Sequence, residues 1–91
     1  MNEQEALRQQ IQYLEAQKQA YTIQLQELEN ASKEVEGSSG VVYKYVGGVL
    51  VQKQKDEALK NLEEEKGILK SRISILEKQE EKMKNASNPK S

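Results

Sequence analysis

This chain of 91 residues contains no cysteine, no histidine, no tryptophan and no phenylalanine, and it has a single proline. Without cysteine there is no disulfide staple and no thiolate chemistry. Without cysteine and histidine the usual zinc sites are missing, and so is the commonest general base. Hydrophobic residues make up only 35%, and four tyrosines are the whole aromatic complement. That is too little for a conventional globular core at a size where surface-to-volume scaling is already unfavourable. No run approaches the roughly 18–20 apolar residues of a membrane span. The opening MNEQEALRQQ has neither a signal peptide's apolar run nor a transit peptide's shortage of acids. A cytoplasmic chain with no membrane partner is the expectation. Formal net charge is −1, from 14 basic and 15 acidic side chains with interspersed signs, which leaves no basic footprint for nucleic acid.

What the chain does have is charge, glutamine and leucine in a regular pattern. In the first arm the seam positions are Leu7, Ile11, Leu14, Lys18, Tyr21, Leu25, Leu28, Ser32 and Val35, at spacings alternating between four and three. In the second they are Leu59, Leu62, Lys66, Leu69, Ile73, Leu76, Glu80 and Met83, under the same rule. This is the heptad pattern of a coiled coil. Asn2 with Glu5 resembles a capping box at the first helix start, and Gly37 and Gly40 supply its end. Asp56 is a natural start for the second helix, with Asn85 and Pro89 to stop it. The expected elements are helices over about 2–35 and 56–85, a β-hairpin over about 41–53 and a flexible tail over 86–91, forming one domain. Each arm is then about 33 residues, or about 50 Å, long. Gly67 interrupts the second helix at a cost of about 1 kcal/mol against alanine.

An antiparallel fold-back that pairs Leu28 with Leu59, Leu25 with Leu62, Tyr21 with Lys66, Lys18 with Leu69, Leu14 with Ile73, Ile11 with Leu76 and Leu7 with Glu80 brings a positions to d positions. It also sets Arg8 near Glu77 and Glu15 near Lys70, pairs of opposite sign that choose orientation more than they supply stability. In this register the outer layers, Leu7 with Glu80 and Gln4 near Met83, match poorly, so the free ends are expected to fray. Tyr13, Ile68 and Ile75 lie on one flank with Ala6 and Ala20. That flank reads either as scattered surface hydrophobics or as a face turned toward a partner.

Residues 41–54, VVYKYVGGVLVQKQ, break the helical pattern. A Gly-Gly pair between Val- and Tyr-rich runs is a hairpin signal. With Gly47 and Gly48 as the turn, one face carries Val42, Val46, Val49 and Val51, and the other Tyr43, Tyr45 and Leu50. A hairpin apolar on both faces has no face suited to water, and two strands alone are marginal in any case. Its open edges invite further strands. The expectation is burial by strands of other chains, against the simpler alternative of a hydrophobic loop between helices.

Other signals are weak. Asn30-Ala31-Ser32 and Asn85-Ala86-Ser87 match the glycosylation acceptor pattern, which has little meaning without a secretory signal. Glu63, Glu64 and Glu65 read as a solvated helix face rather than a cation site, and the glycines lack phosphate-loop spacing. No catalytic, cofactor-binding or metal-ligating residues are assigned, and no enzymatic activity is expected.

Val42-Tyr43-Lys44, then Gly47, then Leu50-Val51 resembles the hairpin signature of the β-class subunits of the prefoldin family. Leu76-Glu77-Lys78-Gln79-Glu80-Glu81-Lys82-Met83 is similar to the end of that family's second helix. A single hairpin fits the β class, since the α class has two. The resemblance implies a mostly α fold: an antiparallel two-helix coiled-coil hairpin joined by a short β-hairpin, whose strands complete a β-barrel hub in an oligomer. Val42, Tyr43, Tyr45, Val46, Val49, Leu50 and Val51 would form the oligomerisation hairpin. It further implies an ATP-independent chaperone subunit that captures unfolded or nascent polypeptide between coiled-coil tips and delivers it to a group II chaperonin. Its partners would be α-class subunits, in a hexamer, or other copies of itself. Leu7, Ile11, Ile75, Leu76 and Met83 are the implied client-binding residues, with the alternative that they merely finish the seam. The competing function is a structural coiled-coil module that oligomerises or tethers without a client.

Overall fold

Asn2 begins the first helix as its side chain predicts: Oδ1 accepts the Glu5 amide at 2.8 Å, satisfying one of the helix's free N–H groups. Helix α1 then runs Glu3–Glu36, strand β1 Val41–Val46, strand β2 Val49–Gln54, and helix α2 Lys55–Ala86. The computed structural model describes residues 2–86. Of the expected tail, Ala86 lies within α2, and residues 87–91, with Pro89 and the last residue of Asn85-Ala86-Ser87, lie outside the described residues. The molecule measures 57 × 27 × 15 Å, an elongated shape set by two antiparallel helices lying side by side.

Gly37 ends α1, with its N–H donated to Lys33 O at 3.1 Å. The strands pair antiparallel, Val46 opposite Val49 and Val41 opposite Gln54. The turn between them places both Gly47 (φ 55°) and Gly48 (φ 82°) in the left-handed region. The tight two-residue turns whose twist matches paired strands require this, and only glycine adopts it without strain. No loop separates β2 from α2; the second helix starts at Lys55, one residue before Asp56, which sits in its first turn. Lys55 also ties the closed end together. Its N–H donates to Gly40 O at 3.0 Å, and its Nζ to Glu36 O at 2.6 Å.

Every seam position marked by the heptads is at least half-buried, and Leu14, Ser32, Leu69, Leu76 and Glu80 are the buried residues. The faces that meet are therefore the expected ones. The register is not. Lys18 meets Glu80 at 3.1 Å instead of facing Leu69. Glu15 meets Lys84 at 3.6 Å instead of Lys70, and Arg72 instead of Lys66 lies over the Tyr21 ring, 5.7 Å from its centroid. The α2 residue opposite Lys18 thus lies about eleven residues, or about three turns, beyond the expected one. A shift by whole turns keeps the same stripe inward, which is why the heptads alone do not distinguish the two registers.

Two physical reasons select the observed register. The turn at Gly47-Gly48 fixes where the chain folds back, and the clamp at Lys55 fixes where α2 starts relative to α1. The observed offset also puts one seam charge opposite the other, whereas the expected one sets Lys18 against Leu69 and Glu80 against Leu7. A buried charge without a partner is far costlier than a buried pair. The expected tip layers, Leu7 with Glu80 and Gln4 with Met83, do not form. Among the described residues α2 ends alongside the stretch just after Ile11, so that Glu3–Gln10 of α1 extends past it.

Gly67 does not interrupt α2; the helix is continuous through it. Tyr13, Ile68 and Ile75 are exposed, as their flank position implies. So is Ile23, which the heptads do not single out.

Candidate functional site: the hairpin and the arm ends

Alternation along the two strands gives the hairpin two different faces. Tyr43, Tyr45 and Leu50 share the outer one with Val41, and are 63%, 74% and 52% exposed. The other face carries Val42, Val46, Val49 and Val51, together with Lys44 and Lys53. Near the closed end it leans on α2: Lys44 Nζ lies 3.7 Å from Glu65, and Lys53 Nζ 3.8 Å from Glu57. Val42 is half-buried there, over a cavity of about 200 Å³ that Val35, Ala58 and Leu62 also line. Val46 and Val49, beside the turn, reach past this support and are exposed. The lysines of the inner face thus find carboxylates on their own chain, while among the described residues the outer tyrosines and Leu50 stay largely exposed. The sheet has two strands, so the outer edge of each strand is unpaired. Exposed apolar area of this kind, on an open-edged sheet, is what pairing with another chain requires.

The five tip residues are not brought together on one surface. Leu7 and Ile11 lie half-buried on α1, Ile11 close to the end of α2 and Leu7 on the extension past it. Met83 is half-buried in the last turn of α2. Leu76 is buried in the seam, where it borders a groove with Tyr21 and Arg72. Ile75, 56% exposed, borders the same groove on the flank of the seam. In the closed structure, therefore, Leu76 is a seam residue.

Between these groups lies a feature that the heptads contain but do not announce, a charged layer across the seam. Lys18 Nζ donates to Glu80 Oε1 at 3.1 Å. That hydrogen bond holds the Glu80 carboxyl below the ordinary carboxylate value of 4.5, against the opposing effect of burial, with the nearby Lys18 and Lys84 charges adding to it. The same bond raises Lys18 above the ordinary 10.5, again against burial. Lys84 bridges outward, 3.8 Å from Glu80 and 3.6 Å from Glu15. The sequence signal for this layer is the occurrence of opposite charges at one seam position in each arm. Elsewhere, Lys66 pairs with Glu63 on its own helix at 2.6 Å, which lowers the Glu63 pKa, mainly through the hydrogen bond. Among the described residues there is no group of acidic side chains arranged to hold a metal ion, and no helix long and apolar enough to cross a membrane.

Two antiparallel helical arms, joined at one end by a hairpin with an exposed face, define a coiled-coil chain with a β-hairpin between its helices. Comparison with known proteins narrows the class. Residues 1–88 match the family model described as prefoldin subunit. Prefoldin subunit beta of Thermococcus kodakarensis is 38% identical over 81 residues, covering 87% of this chain and 69% of the relative. The Pyrococcus furiosus counterpart is 36% identical with the same coverage. Among solved structures, the prefoldin beta subunit from Thermococcus strain KS-1 superposes with a TM-score of 0.89 at 35% identity, covering 94% of this chain and 77% of that one. The beta2 subunit from the same strain superposes with a TM-score of 0.83 at 24% identity, a likeness of fold. The chain belongs to the prefoldin family, with the β-class subunits, and is a chaperone subunit.

Proposed function

We propose that the chain works as one arm of an ATP-independent holdase. Its hairpin joins the strands of other prefoldin subunits in a shared barrel, and its arm ends take hold of non-native polypeptide for transfer to a group II chaperonin. Partner subunits are of the α class, in a hexamer, or are further copies of this chain. The observation that carries the reading is the hairpin's outer face, where Tyr43, Tyr45 and Leu50 stand exposed on a sheet with two open edges. Covering such side chains contributes about 1.5–3 kcal/mol each, enough together to drive assembly.

The client-binding residues of this reading are Leu7, Ile11, Ile75, Leu76 and Met83. They are apolar side chains on the arms, which suits a surface that recognises non-native chains by hydrophobicity rather than by sequence. Met83 is the most adaptable of them, because an unbranched thioether repacks against many partners. No catalytic residue, cofactor or metal has a part in this function, and its place is the cytoplasm. The test mixes the protein with a chemically denatured client on dilution and follows light scattering, with and without an α-class subunit. Suppressed aggregation is the expected result. Unchanged scattering in both mixtures would refute the chaperone activity proposed for this chain.

A further inference from the structure

The seam is not uniform along its length. On the hairpin side of the charged layer it is first apolar, with Leu28, Leu69 and Leu76 in or beside it, then passes Lys66 and the buried Ser32 before Val35 and Leu62 at its base. On the far side, among the described residues, the offset leaves Leu14 and Met83 as the apolar pair across from each other, with Glu15 and Lys84 beside them. Leu14 is 7% exposed, more deeply covered than Leu7 or Ile11 farther out, so the closed state of this short segment is well formed.

The layer separating the two regions is itself poorly satisfied. Glu80 is 7% exposed. Its Oε1 takes the Lys18 bond, while its Oε2 is buried with no hydrogen-bond partner among the described residues. Opening the arms returns that oxygen to water and recovers its desolvation cost. A buried ion pair also contributes less than an apolar layer of the same size. In the outer half of the arms cohesion is thus least at Lys18 and Glu80, and beyond that point little else resists separation.

We propose that the Lys18–Glu80 layer is a clasp: when it breaks, the distal segment formed by Glu3–Gln17 and the last turns of α2 opens as a unit and uncovers Leu14 and Met83 to a bound chain. This rests on the client-binding role proposed for the arm ends, and it explains how Met83, half-buried in the closed arms, becomes available. The nearer part of the arms stays closed because the hairpin and the Lys55 clamp hold it.

Hydrogen exchange of the full-length protein in its assembled state tests the clasp, alongside client aggregation. The double variant Lys18→Leu/Glu80→Leu replaces the layer by an apolar one. It is expected to slow exchange of the distal amides about tenfold and to weaken aggregation suppression. Glu80→Gln, which keeps the shape and removes the charge, is expected to speed distal exchange, and it covers the case in which the double variant fails to assemble. Distal exchange unchanged in both variants would overturn the clasp. Slowed exchange with undiminished suppression would overturn its coupling to clients. A wild-type protein that suppresses no aggregation would instead refute the holdase function, leaving the exchange result to decide the clasp.

Discussion

Glu80 and Lys18 each look out of place in a leucine seam, and each is accounted for by the other. Their linkage sets a pH dependence whose sign follows from the directions of the shifts. Glu80 is lowered from 4.5 on folding, so its contribution is present above that value and is lost as pH falls through the lower folded value. Lys18 is raised from 10.5, so its contribution is present below that value and is lost as pH rises through the higher folded one. The groups around the pair are Glu15 on α1 and Glu77 and Lys84 on α2. Between the two limits the layer contributes a constant amount. We expect Glu80→Gln to lower the thermal midpoint at neutral pH and to make little difference once pH has fallen through the lowered folded value, where the wild-type carboxyl is itself neutral. Thermal unfolding followed by circular dichroism at both pH values checks this. A midpoint difference that persists in acid would show that Glu80 acts by packing alone. That an ion pair spans the arms was half legible, since both charges stand at seam positions. That they meet each other was not, because heptads specify a face and leave the offset along it open.

At the scale of the element, helix α2 carries a glycine it does not use. Gly67 is exposed, lies within continuous helix, and a Cβ there would meet nothing within 4 Å. Gly67→Ala should therefore stabilise the arms by about 1 kcal/mol, the helix-propensity difference. Denaturant unfolding should show a higher midpoint at an unchanged slope. A loss of stability would mean that the glycine is needed by a contact outside this chain. Elements were the most legible level of the fold. Asn2 with Glu5, Gly37, and the Gly-Gly pair each act through one or two residues' backbone preferences, and the structure uses all three. The direct passage from β2 into α2 was harder to see, since Lys55 has no capping side chain. Its role is tertiary, holding Glu36 and Gly40 across the closed end.

For the whole molecule, the hairpin and the arms make separable demands. Leu50 sits on the outer face, 52% exposed, and faces Tyr45 across the strands. Leu50→Asp should abolish assembly by placing a charge where another chain's apolar side chains must pack, while leaving arm helicity nearly intact. Sizing chromatography with circular dichroism measures both. An oligomer of wild-type size would remove the hairpin from the assembly role. The asymmetry between the hairpin faces was legible only in part. The valine face and the tyrosine face follow from alternation, but that Lys44 and Lys53 on the valine face reach α2 carboxylates depends on where the hairpin lies against the helix.

The sequence by itself determined the helical arms, the stripe along which they meet and the hairpin between them, because each rests on local periodicity or on the backbone limits of a few residues. Only the tertiary structure decided the offset of the arms. Sliding one helix by about three turns presents the same stripe, so the choice between registers fell to the position of the turn at Gly47-Gly48, the Lys55 clamp, and the cost of leaving Lys18 or Glu80 without its opposite charge.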